Sequence, residues 1–140
     1  MYILNTFAAT AALCLIATAS MAKAEDLPPL SENEYINDQL FSAAVGAAIK
    51  EFCPTIAERK MIVAIEALKL FRHARGLGYS KKQIDDYLEN EDARALMLER
   101  VRTYLEDKGV IEGEPETFCV AGRAEIKNKT FTGKLLKVHR

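Results

Sequence analysis

The sequence predicts an all-α fold, a single domain of four to five helices around an N-terminal helical hairpin, stapled by one disulfide between Cys53 and Cys119. Three observations lead there. Apolar residues recur every three or four positions through successive segments, the period of one helix face. Capping residues and glycines punctuate those segments where helices start and stop. Beyond an export-type leader, the chain carries only the two cysteines Cys53 and Cys119.

The leader comes first in a chain of 140 residues. Phe7 to Ala19 is almost wholly apolar, and Ala22-Lys23-Ala24 is the small-residue pattern that a signal peptidase reads. Residues 1–24 are therefore expected to be a cleaved signal peptide, with 25–140 as one exported domain. The apolar run is short for a membrane span, and before Asn5 only the terminal amine is positive. An uncleaved anchor and a lipid on Cys14 are the alternatives. What remains is long enough for one core, burying roughly 65% of the unfolded chain's surface. In an oxidising compartment a lone cysteine pair reads as a disulfide. Closing so long a loop contributes ~4 kcal/mol in the chain-entropy picture. Two buried thiols are the alternative. Metal binding is disfavoured, since neither cysteine has a second one two residues away.

Taken in order, Pro28-Pro29 makes an extended lead-in. Ser31 and Glu34 have capping-box spacing, and the helix they open presents Ile36, Leu40, Ala43, Ala44, Ala47 and Ala48 on one side. Its small residues invite close approach, either by the second arm of the hairpin or by a partner. Pro54 disfavours helical geometry at Cys53 and so sets the corner. Thr55 and Glu58 form a second box. Met61, Ala64, Ile65, Leu68 and Phe71 follow, widened by Ile62, Val63 and Leu70 into a stripe expected to be contacted on more than one side. Gly76 and Gly78 stop that helix. Ser80 and Gln83 open a short helix that turns Ile84, Tyr87 and Leu88 inward and Asp85, Asp86 and Glu89 outward. Met97, Leu98, Val101, Tyr104 and Leu105 line one face of Ala93–Lys108, which Gly109 ends. Pro115, whose missing donor costs nothing at a helix start, opens the last helix. Cys119, Gly122 and Ile126 share its inner side, with Gly122 letting the backbone approach the hairpin corner.

From about residue 127 the chain is basic: Lys127, Lys129, Lys134, Lys137 and Arg140, with no acid. Such a tail can contact a membrane surface or an anionic partner. Folding back on the acidic N-terminal half, or plain solvation, is the alternative. Leu135, Leu136 and Val138 point to at least one docked turn. Export argues against nucleic acid.

Chemistry is mostly excluded. His73 and His139 are the only histidines, and His73 lies on a polar line with Glu66 and Lys69. No nucleophile elbow, phosphate loop, dinucleotide fingerprint, zinc-protease helix or haem-attachment motif appears. No catalytic residue, metal site or cofactor is assigned.

One set of short stretches carries a resemblance. In order they are Leu27-Pro28-Pro29-Leu30, Ile36-Asn37-Asp38, Cys53-Pro54-Thr55-Ile56, Leu77-Gly78-Tyr79-Ser80, Gly122-Arg123-Ala124-Glu125-Ile126 and Gly133-Lys134-Leu135-Leu136. The chain resembles a small exported family of unknown function from Rhodobacter-type alphaproteobacteria. The resemblance implies a Gram-negative periplasm and a cysteine pair, and brings no activity. The expected role is a non-enzymatic binding or accessory protein with an envelope partner. An acid- or stress-responsive periplasmic chaperone is the second reading. A small-ligand carrier or enzyme, which needs a pocket between helices, is the third. Oligomeric state is left open.

Overall fold

The computed structural model describes residues 27–139, so the expected signal peptide and Arg140 lie outside the described residues. A 3-10 turn, Leu30–Glu32, leads into α1 (Glu34–Phe52). Then come β1 (Ile56–Glu58), α2 (Lys60–Gly76), α3 (Lys81–Glu89), α4 (Glu91–Asp107), α5 (Pro115–Lys127), α6 (Phe131–Leu135) and β2 (Leu136–Val138). The fold is all-α as expected, and β1 and β2 form only a short antiparallel ribbon, Ile56 opposite Val138 and Glu58 opposite Leu136. The Cys53–Cys119 disulfide is formed and ties the end of α1 to α5.

Everything is arranged on α1. Val45 and Ile49 have no solvent exposure, and around them close Cys53, Ile56, Val101, Leu105, Phe118, Cys119 and Leu136. Burying one such aliphatic side chain contributes ~1.5–3 kcal/mol, so this cluster is the main source of stability. A second cluster joins the N-terminal half of α1 to α2 and α3 through Leu30, Ile36, Ala74, Tyr79 and Ile84, with Leu40, Leu70 and Phe71 at its edge. Asn37 serves it as a polar anchor. Its amide donates to the carbonyls of Leu30 and Asn33 (2.8 Å each), and its side-chain oxygen accepts from the Tyr87 hydroxyl.

Several sequence expectations need correcting. The small residues of α1 do not take α2 as their close neighbour: Ala43 and Ala47 are exposed, Ala44 and Ala48 are partly buried beside α4, and the close approach is that of the tail at Gly46. Gly46 faces Thr132 and Leu136, and the Thr132 hydroxyl donates to the Ser42 carbonyl at 2.9 Å. Thr55 and Glu58 do not cap α2. Residues Ile56–Glu58 are claimed by β2, the His139 amide donates to the Thr55 carbonyl, and the Arg59 amide donates to the Leu135 carbonyl, both at 2.8 Å. The helix therefore starts at Lys60, and no side chain caps it. Asn33, not Ser31, caps α1, its side chain accepting from the Ile36 amide. The Ser80–Gln83 capping box and the Pro115 start stand as expected.

The approach of α5 to the hairpin corner also stands. A Cβ on Gly122 would lie 2.4 Å from Ile56 Cδ1 and 2.6 Å from Ile49 Cγ2, so only glycine lets α5 sit this close. Three helices end alike. At α2, α4 and α5 the amide two residues past the C-cap donates to the carbonyl five residues back: Tyr79 to Ala74, Val110 to Leu105 and Thr130 to Glu125. The left-handed residue this needs is Gly78 (φ 108), Gly109 (φ 82) and, without a glycine, Lys129 (φ 54).

Candidate interaction surface

The broad apolar stripe of α2 is not enclosed. One side of it, Leu70, Phe71 and Ala74, packs on α1 and α3. The other side faces outward, with Met61 75% exposed, Ile65 43% and Leu68 47%. A helix at the edge of a domain has neighbours on one side only, so width of stripe did not translate into burial. Leu88 and Leu98, expected to point inward, are also strongly exposed.

The docked tail fixes α2 from its N-terminal end. Besides the β1–β2 ribbon, the Glu66 carboxylate receives the ammonium groups of Lys69 and Lys134, both at 2.9 Å. The Lys134 hydrogen bond first, then that of Lys69, holds the Glu66 carboxyl below the ordinary carboxylate range. Lys134 is therefore committed to an intramolecular pair. Lys137, on β2, lies instead in a depression shared with Arg59, Lys60, Met61, His139 and one carboxylate, Glu58. Glu58 is already paired with Lys50 at 3.8 Å. Lys127 and Lys129 stand at the end of α5, and Arg140 lies outside the described residues. The basic tail is thus not one patch. Folding distributes its charges, and only Lys137 joins the outer surface of α2.

Among the described residues, Arg59, Lys60, Arg72 and Lys137 have no carboxylate within 4.0 Å. Other cations are matched, Lys82 with Asp86, Arg102 with Glu99 and Arg123 with Glu116, whereas Arg94 on α4 and Lys127 and Lys129 at the end of α5 likewise have no described carboxylate within 4.0 Å. Asp85 and Asp86, the outward acids of α3, are bound by Lys81 and Lys82 one turn away. The unmatched charge was legible in the sequence as Arg59-Lys60 and Arg72 on α2. Its neighbour Lys137 was not, because the ribbon that brings it there follows from tertiary pairing.

A second apolar feature runs between α1 and α4. A depression of about 230 Å³ is lined by Leu40, Ala44, Leu88 and Met97, and one of about 310 Å³ by Ala48, Phe52, Val101 and Phe118, with Leu98 common to both. Both are open to solvent. Glu125 is buried and held by the hydroxyls of Tyr104 (2.6 Å) and Thr130. Burial, and then the hydrogen bond to Glu125, pushes the Tyr104 phenol up to about 12. This triad bolts α4, α5 and α6 together. Among the described residues no group of three His, Cys, Asp or Glu side chains is placed to hold a metal ion. His73 is exposed and meets the Tyr35 ring edge-on at 4.7 Å.

Fold and surface define, among the described residues, a small, disulfide-stapled helical domain with an exposed apolar and basic face on α2. The chain belongs to DUF5333, a family of unknown function, which matches residues 28–137. No curated protein and no solved structure matches it.

Proposed function

We propose that this is a non-enzymatic binding or accessory protein of the cell envelope, exported to the periplasm of an alphaproteobacterium after loss of residues 1–24. It engages the envelope through the outer face of α2 together with Lys137. The observation that carries this reading is the combination on one face of three exposed apolar side chains and four cations that no carboxylate among the described residues engages. The apolar rows of α1 and α5 go largely into the cores, and this one is left over. The test is fractionation of the native cells with intact-mass measurement of the protein. The expected result is a mass lacking residues 1–24, the Cys53–Cys119 bond intact, and recovery with washed envelopes. The double variant Lys60→Gln/Lys137→Gln should release it. Recovery in the cytoplasm, or release-insensitive association, overturns the reading.

A second reading, a stress chaperone, is favoured by the open apolar depressions along α1 and α4. It predicts that the protein suppresses aggregation of an unfolded client and that Leu98→Asp removes this ability while Lys60→Gln/Lys137→Gln does not.

A further inference from the structure

We infer that the outer face of α2 is a docking surface for an anionic lipid bilayer, with α2 lying flat on the headgroups. The inference rests on the envelope-binding reading and names the partner at that same face. Met61, Ile65 and Leu68 succeed one another at four and three residues and form one row about 10 Å long. All three are exposed although they are large and apolar. Cations bracket the row, Arg59 and Lys60 at the start of the helix and Arg72 beyond Leu68, with Lys137 contributed by β2. Arg75 adds a further charge, although one of its nitrogens donates to the Tyr79 carbonyl at 2.9 Å. The only acid within α2 is Glu66, which Lys69 and Lys134 neutralise.

Three features favour lipid over an acidic protein. The face is the convex back of a helix, and three side chains fall well short of the roughly 800 Å² per partner that a stable protein interface buries. An apolar row flanked by lysines and arginines is the pattern of interfacial helices, whose apolar side chains enter the acyl boundary while the long basic side chains reach phosphate. A bilayer also needs no shape match, only negative charge, and each basic residue near such a surface is worth about fivefold in partitioning.

The experiment is sedimentation of the protein, purified in its native processed form, with vesicles of phosphatidylcholine alone or mixed with phosphatidylglycerol. Binding is expected to the anionic vesicles only and to fall steeply with salt. Lys60→Gln/Lys137→Gln should weaken it about 25-fold, and Met61→Ser/Leu68→Ser about tenfold. Lys82→Gln, whose lysine is paired on α3, should leave it unchanged. Equal binding to neutral vesicles, or no response to the α2 variants, overturns the inference. If the vesicles are ignored while washed envelopes still bind the protein through Lys60 and Lys137, the partner is a protein. The lipid inference then fails and the envelope reading survives. If neither binds, both fail.

Discussion

Replacing Gly133 by alanine should detach the C-terminal tail. Gly133 lies where α6 crosses the end of α5. A Cβ there would sit 2.1 Å from the Glu125 carbonyl oxygen, 2.4 Å from its carbon and 2.7 Å from the Ile126 nitrogen, where ordinary contact begins at 3.4 Å. All three neighbours are backbone, so none can rotate aside, and α6 has to withdraw by about an ångström. A gap of that size forfeits a quarter to a half of the dispersion attraction between facing atoms. Leu135 and Leu136, both buried, would lose it, and the Thr132–Ser42 hydrogen bond would stretch. Overpacking costs ~1–3 kcal/mol in general, and immovable neighbours put this case at about 3 kcal/mol. In urea, with a slope of about 2 kcal/mol per molar for a domain this size, the midpoint should fall by about 1.5 M. Hydrogen exchange adds a local reading. The amides of Arg59 and His139, bonded to Leu135 and Thr55, should lose protection, while the Cys53 amide on Ile49 keeps it. Gly76, where an added Cβ would meet nothing within 4 Å, serves as control, and Gly76→Ala should be neutral or slightly stabilising. A Gly133→Ala midpoint within about 0.3 M of the parent, with unchanged exchange at Arg59 and His139, would refute the reasoning.

Other outcomes follow from the same geometry. Replacing both Cys53 and Cys119 by alanine frees a loop with a sequence separation of 66. It should cost about 4 kcal/mol, seen as a drop of roughly 15 °C in calorimetric Tm; a drop under about 3 °C would mean that the unfolded chain was never constrained. Lys129→Gly should raise the urea midpoint by about 0.5 M, since a left-handed lysine costs roughly 1 kcal/mol that glycine avoids; a lowered midpoint would show that the Lys129 side chain contributes more than its backbone costs. Glu66 is depressed in the folded state, so its contribution is fully present above its ordinary value of 4.5 and is lost as the pH falls through the lower folded value. The stability difference between the parent and Glu66→Gln should accordingly be constant from about pH 7 to 5 and vanish on further acidification; a difference that persists at about pH 2 would sink the assignment.

Much of this molecule was determined by the sequence alone. Local signals acted where no distant group competed for the same atoms. The Ser80–Gln83 box, the Pro115 start, and the stops at Gly78 and Gly109 all hold, because each satisfies orphan backbone groups with residues a few positions away. The cysteine pair was legible because only two cysteines lie beyond residue 24. Gly122 beside Cys119 was legible as a close approach.

Tertiary structure decided what local signals could not. Thr55 and Glu58 carry the spacing of a helix cap, yet their backbone pairs with residues 136–139, which satisfy the same groups from across the chain. The stripe on α2 has enough apolar residues for two contact faces, but α4, α5 and α6 cover α1 and leave one side of α2 bare. The basic tail, uniform in sequence, is parcelled out by folding: Lys134 to Glu66, Lys137 to the edge of the exposed row, Lys127 and Lys129 to the end of α5. Periodicity fixes which residues can share a face. Which faces are left for solvent, or for a partner, depends on how many neighbours each helix finds, and that is a property of the whole packing.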